Sequence, residues 1–173
     1  MEIVDEARAG LLKSLVKTLS AVPGVVAIVL GGSYAEGAQT ATSDMDIGLY
    51  YRPGAPFDLT AIRATAEAVA VQPPTVTEFY AWGPWVNGGA WIQTAAGKVD
   101  FLYRNLDQVE QTIQEAQAGI MRHDFDQQPT FGFYSVIYLA ETRICRPLYD
   151  PDGAIARLKE SVAVYPPALK RKA

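Results

Sequence analysis

The chain has 173 residues, a formal net charge of −4 and a single cysteine, Cys145. That length suffices for one folding unit with a real core, and the acidic balance leaves no electrostatic footprint for a nucleic-acid backbone. No apolar run approaches the roughly 20 residues of a membrane span, the acidic N-terminus is unlike a signal peptide, and one cysteine excludes internal disulfides and cysteine-zinc clusters, so a cytoplasmic protein is expected.

Residues 4 to 20 place Leu11, Leu12, Leu15, Val16 and Leu19 at helical spacing, an amphipathic helix ended by Pro23-Gly24. An apolar, β-branched run from Val25 to Leu30 then stops at Gly31-Gly32-Ser33, as a buried strand does when it gives way to a turn. A helix is predicted to start there with Ser33 at its N-cap. Free backbone N–H groups and the positive end of the helix dipole would then face any phosphate nearby.

Ser43-Asp44-Met45-Asp46 follows and runs into the apolar strand Ile47 to Tyr51. Residues two apart in an extended chain point the same way, so Asp44 and Asp46 present their carboxylates on one face. Hard oxygen ligands of this kind suit Mg²⁺, which completes its shell with substrate phosphate oxygens and water. The plainer alternative is a polar turn before a strand, where Ser-Asp clusters are ordinary.

Arg52 to Pro56 reads as a stiff loop, Asp58 as the N-cap of a helix from Leu59 to about Val71, and Gln72-Pro73-Pro74 as its stop. Thr75 to Tyr80 alternates like a strand, whereas Trp82 to Gly89 has the composition of an irregular loop. Trp91 to Thr94 and Lys98 to Tyr103 form two arms of a hairpin turned by Ala95-Ala96-Gly97, with Asp100 on the second arm. Leu106 to Ala118 suits a helix, His123 to Pro129 a polar loop, Phe131 to Ala140 a short apolar helix, and Thr142 to Leu148 a last strand. Tyr149 to Gly153 is a turn before a final helix, Ala154 to Val164. Trp82, Trp85 and Trp91 are read as packing groups; stacking on a base or an acceptor ring is the alternative.

Gly-Ser, a short helix and Asp-x-Asp on the next strand together resemble the signature of the nucleotidyltransferase superfamily, which includes DNA polymerase β and the antibiotic nucleotidyltransferases. The resemblance implies an α+β fold, a small mixed β-sheet covered by helices, spanning residues 1–173 as one nucleotidyltransferase-like domain. It implies a third carboxylate on a neighbouring strand, which Asp100 supplies. Gly32 and Ser33 would bind the nucleotide, and Asp44, Asp46 and Asp100 would form a two-metal Mg²⁺ site with Asp100 helping to deprotonate the acceptor. The reaction implied is transfer of a nucleoside monophosphate from an NTP such as ATP to a hydroxyl, releasing pyrophosphate. Tyr34 and Glu36 depart from the pattern, because family members often carry arginine at one or both positions; Arg52, Lys98 and Arg104 are the cations that could compensate. The ending from Arg146 onward is similar to the segment that closes the catalytic domain in two-domain bacterial relatives, where a helical domain follows that is absent from this chain.

Three readings stay open on the sequence. One is a small-molecule nucleotidyltransferase acting on an aminoglycoside-like, lincosamide-like or unknown acceptor. Another is a protein-modifying, antitoxin-like minimal nucleotidyltransferase with a partner protein or a second copy of itself. The third is a nucleotide-binding module without turnover.

Overall fold

β-branched and aromatic runs separated by glycine and proline assemble here into one mixed sheet. The computed structural model describes residues 6–37, 43–127 and 131–170. Its strands are β1 (Ala27–Leu30), β2 (Met45–Tyr51), β3 (Thr75–Val76), β4 (Gly89–Thr94), β5 (Gly97–Asn105), β6 (His123–Asp124), β7 (Phe133–Tyr134) and β8 (Arg146–Tyr149). The helices are α1 (Glu6–Ser20), α2 (Gly32–Glu36), α3 (Leu59–Val69), α4 (Leu106–Gln117), α5 (Ile137–Ile144), α6 (Ala154–Ser161) and α7 (Pro167–Lys170). The six-stranded sheet runs β3-β4-β5-β2-β1-β8, while β6 and β7 pair separately. β2 and β5 are parallel and the other pairings of the large sheet are antiparallel, so the fold is α+β as expected.

Strand periodicity divides the side chains between the two faces. Ile47, Leu49 and Tyr51 of β2 and Val99, Phe101 and Tyr103 of β5 point to one side, where Leu12, Leu15 and Leu19 of α1 and Ile62 and Ala66 of α3 cover them. On the other side Ala27, Val29 and Tyr50 meet α4, α5 and α6 through Val109, Ile113, Leu139, Ile155 and Leu158. This second layer stops short. Toward the start of β2 and β5 the same face carries Asp46 and Asp100, both only half-buried.

Arg104 of β5 marks the boundary between the packed and the open part. It is 6% exposed, and its guanidinium grips Glu141 of α5 through Nε to Oε2 at 2.9 Å and Nη2 to Oε1 at 2.7 Å. Nη1 also donates to the carbonyls of Tyr103 and Val86. Glu141 more than offsets the cost of burying this cation, so the Arg104 pKa rises rather than falls.

Several boundaries differ from the sequence reading, each for a local reason. Residues 4 and 5 of the first expected helix, 128–129 of the expected polar loop and the segment 38–42 lie outside the described residues. The expected strand from Thr75 to Tyr80 ends at Val76, because Tyr80 takes a positive φ of 61° and its N–H turns to the side chain of Asn87. Thr142 to Ile144 continue helix α5 instead of opening a strand, and Pro147 belongs to the short edge strand β8. Phe133–Tyr134 is strand and only Ile137 onward is helical, so the expected helix from Phe131 starts late. His123–Asp124 pairs with Phe133–Tyr134 instead of looping freely.

Truncating one partner of the Arg104–Glu141 pair should cost about 3 kcal/mol, the low end of the range for buried pairs because Glu141 is partly exposed. We expect Arg104→Leu or Glu141→Leu to lower the denaturant midpoint strongly and the double variant to recover part of the loss. Additive losses would show that the two side chains do not depend on each other.

Candidate active site

Two strands and one turn build the site. The parallel register sets Asp46 of β2 directly beside Asp100 of β5, so both carboxylates leave the same face at the same level. Above them the chain leaves β1, the Gly31 N–H donates to the Asp46 carbonyl at 2.8 Å, and the backbone turns into α2. Gly32 has φ +57°, and a Cβ there would lie 2.0 Å from Asp46 Oδ2. Only glycine lets the turn sit this close to the carboxylate.

Gly31, not Ser33, occupies the N-cap, without a side-chain cap bond, and Ser33 lies inside the five-residue helix. The expected capping role of the Ser33 hydroxyl is therefore corrected, since the left-handed Gly32 starts the helix one residue early. Tyr34 is buried in the core and its hydroxyl accepts from Arg8 Nη1, so it is a structural group, whereas Glu36 is exposed at the far end of α2.

Arg8 ties the parts together. From α1 it donates through Nε to the Ala96 carbonyl at 2.8 Å, in the turn before β5, and through Nη1 to Tyr34 and, at 3.5 Å, to the Ser43 carbonyl ahead of β2. One buried guanidinium thus joins the turn helix and the entrances to both acidic strands. Its place on an apparently solvent-facing turn of an amphipathic helix gave no signal in the sequence.

Of the three cations that could compensate for Tyr34 and Glu36, only Lys98 is at the site. Its Nζ lies 4.0 Å from Asp44 Oδ2, and it stands two residues before Asp100 on the same face. Arg52 is held by Asp107 and Glu110 at the opposite end of β2, about 20 Å along the strand by the rise per residue. Arg104 is committed to Glu141.

The electrostatics are those of like charges held together. Burial first, and then Asp44 and Glu141, push the Asp46 carboxyl up. Burial, Asp46 and Asp44 push Asp100 up to about 6, against the pull of Lys98. Among the described residues, no group of three or more acidic, histidine or cysteine side chains is closed into a ready metal cage. Asp44 lies at the exposed edge of the acidic group, beside Lys98. The donor set nevertheless has the chemistry a divalent cation needs, oxygen ligands whose mutual repulsion a positive charge relieves.

Two cavities meet at the acidic pair. One, about 300 Å³, includes Gly31, Gly32 and Asp46 and runs down the sheet past Gly48, Tyr50 and Leu102 to Cys145 and the Arg104–Glu141 pair. The other, about 390 Å³, takes in Asp100, Lys98 and Trp91. Trp85, by contrast, is stacked on Phe133 at 5.4 Å and packs beside Tyr138, as the packing reading expected.

Residues 12–87 match the nucleotidyltransferase domain family. The match supports the nucleotidyltransferase superfamily for this domain. The matched stretch contains the later part of α1, the glycine turn and both Asp44 and Asp46, and it ends before β5, so the place of Asp100 rests on strand register. No individual curated protein matches the chain. A nucleotidyltransferase moves a nucleoside monophosphate from an NTP, which makes this protein a transferase of phosphorus-containing groups, and the family generally works with a divalent metal. Among the described residues no helix is long and apolar enough to cross a membrane.

Two outcomes follow for the metal-free protein. An unfolded aspartate titrates near 3.8 and folded Asp100 near 6, so the folded state holds more protons between these values and stability falls as pH rises through that window. We expect Asp100→Asn to melt a few degrees above the wild type at pH 7, with the gain vanishing below about pH 4. Equal melting temperatures at pH 7 would mean that Asp100 is not under this repulsion. Gly32→Ala should destabilise by more than the roughly 1–2 kcal/mol of a left-handed residue, and the excess should disappear in an Asp46→Ala background, as a double-mutant cycle by chemical denaturation would read.

Proposed function

We propose that this nucleotidyltransferase uses Mg²⁺ and transfers the nucleoside monophosphate to a hydroxyl of a small-molecule acceptor. The observation that carries the reading is the level pairing of Asp46 and Asp100 beneath the Gly31-Gly32 turn. Asp44 and Asp46 would be the principal metal ligands, with Asp100 completing the set, and Lys98 would release Asp44 to the metal. Bound at these oxygens, Mg²⁺ would neutralise the charge that develops on the transferring phosphoryl group.

The chain's own residues supply the rest. Gly32 and Ser33 present backbone to the phosphates, where a side chain at residue 32 would collide with Asp46. Asp100 accepts the proton of the attacking hydroxyl. As the new oxygen–phosphorus bond forms at the α-phosphate, the bridging oxygen–phosphorus bond to the β-phosphate breaks and pyrophosphate leaves. A carboxylate fixed on a strand beside the metal ligands would hold the acceptor oxygen in position for attack.

The test is thermal-shift screening of the four NTPs with and without Mg²⁺, paired with pyrophosphate release. A ligand at a hundredfold excess over its Kd stabilises the folded state by about 2.7 kcal/mol, which is readily visible. We expect a Mg²⁺-dependent shift with at least one NTP, its loss in Asp46→Asn, and a fall in pyrophosphate release of about 10²-fold or more in that variant. A full shift in Asp46→Asn would remove Asp46 from the metal site, and NTP binding without any pyrophosphate release would favour a binding module.

A further inference from the structure

The face that carries Asp100 continues sideways onto β4. Trp91 is the register partner of Asp100 across the β4–β5 pairing, so its indole rises from the sheet immediately beside the carboxylate. It is 53% exposed, a large apolar ring left half in water next to the candidate site. Its position is nonetheless fixed. Trp82 stacks on it with centroids 4.8 Å apart and planes at 23°. Trp82 in turn belongs to a loop held by Asn87, which is almost fully buried, donates to the Tyr51 hydroxyl at 2.7 Å and accepts from the Tyr80 N–H at 2.9 Å.

Trp82 is absent from the lining of the cavity of about 390 Å³ that Trp91 shares with Asp100. One face of the Trp91 indole is thus covered by the second ring, and the remaining surface is presented to the cavity. Pro73 and Ile92 add apolar surface, and the rest of the lining is polar: Gln72, Gln93, Thr75, Lys98 and Asp100. The size falls in the lower part of the range of about 300–1,000 Å³ that holds small ligands.

We propose that this shelf is the acceptor site and that it takes an uncharged, polyhydroxylated saturated ring, a sugar or cyclitol, with the ring's C–H face on Trp91 and one hydroxyl at Asp100. The inference rests on the transferase reading above for the role of that hydroxyl. An indole face carries the negative part of the ring quadrupole and attracts the weakly positive C–H groups of a saturated ring. Amide and hydroxyl walls offer donors and acceptors together, which is what neighbouring hydroxyls require, each being donor and acceptor at once. A flat base would be gripped better between two rings, but here the second tryptophan backs the first and leaves no slot. Lys98 and Asp100 contribute one charge of each sign to the shelf, which favours a neutral ring over an ammonium or a phosphate. In the reaction the ring hydroxyl bonds to the α-phosphorus, its proton passes to Asp100, and the bond to the pyrophosphate oxygen breaks.

Saturation-transfer NMR on the 173-residue protein reads ring binding directly, without nucleotide. The probes are methyl α-glucoside and myo-inositol as neutral rings, glucosamine as a cation, glucose 6-phosphate as an anion and adenosine as a base. We expect ring C–H signals from at least one neutral probe, weakened tenfold or more in Trp91→Ala, partly kept in Trp91→Phe, and no stronger response from the charged rings. Melting temperatures of the variants check that the fold persists. Silence from both neutral rings in the wild type, full signal in Trp91→Ala, or a Trp91-dependent response from adenosine alone would each overturn the proposal. The Mg-ATP thermal shift on the same samples separates the two readings: ring binding without that shift sinks the transferase mechanism alone, and the shift without ring binding sinks the shelf alone.

Discussion

The parallel pairing of β2 with β5 holds two carboxylates side by side on one face of the sheet, and much of the molecule can be understood from that one unfavourable contact. Asp46 and Asp100 cannot separate without breaking the pairing of two core strands, since their neighbours Met45, Ile47, Val99 and Phe101 are all buried. Backbone hydrogen bonds and apolar burial on the opposite face therefore outweigh the repulsion on this one. The consequence is seen in Asp100, whose carboxyl is lifted to about 6. A protein that holds charge in this way is less stable empty than it would be with neutral residues, which is the usual mark of a site shaped for a ligand and not for the fold.

The sheet's two faces are finished differently, and the difference makes the cleft. α1 and α3 cover one face along its whole width, whereas α4 to α6 cover only part of the other. Gly48 lies between the two: it lines the cavity that starts at Asp46, yet a Cβ there would approach Val29 Cγ2 to 2.7 Å. Asp46 stands at the end of that cavity where the glycine turn meets the sheet. The Arg104–Glu141 pair stands where the two regimes meet, a charged pair that needs α5 in place and so stops the helix layer from sliding over the acidic residues.

Much of this was legible because period-two alternation is a strong constraint. Asp46 interrupts an apolar strand and Asp100 stands between Val99 and Phe101 on β5, so alternation alone turns each carboxylate away from its apolar neighbours. What local sequence does not record is who meets whom across the fold. Arg52, Lys98 and Arg104 read alike as nearby cations, yet two of them are bound to Glu110 and Glu141 and only Lys98 reaches the acidic group. The strand expected at Thr142 to Leu148 failed for a similar reason. Leu139 and Thr142 are buried against the neighbouring layer at helical spacing, and that tertiary contact outweighed the β-branched composition around Ile144. The sequence sets Trp91 on a hairpin arm and Trp85 in a loop, but not that Trp91 stands level with Asp100, which the β4–β5 register decides.

Arg8 shows how a site of this kind is kept rigid from a distance. Glycine turns are permissive, and the Gly31-Gly32 turn would be free to drift from Asp46 if nothing fixed the helix that follows it. Tyr34 fixes it from below by sinking into the core and meeting Arg8. The same guanidinium receives the chain at Ser43 and at Ala96, the points just ahead of β2 and β5. Gly97, with φ +113°, lets the hairpin turn come close enough, since a Cβ there would stand 3.0 Å from Arg8 Nη2. An arginine in the Tyr34 position would meet Arg8 as a like charge in a buried setting, so tyrosine at residue 34 and arginine at residue 8 are matched to each other. Tyr34 thus anchors the turn through a hydroxyl facing the core. It leaves Lys98, on the opposite side of the acidic group, as the cation the site has to work with.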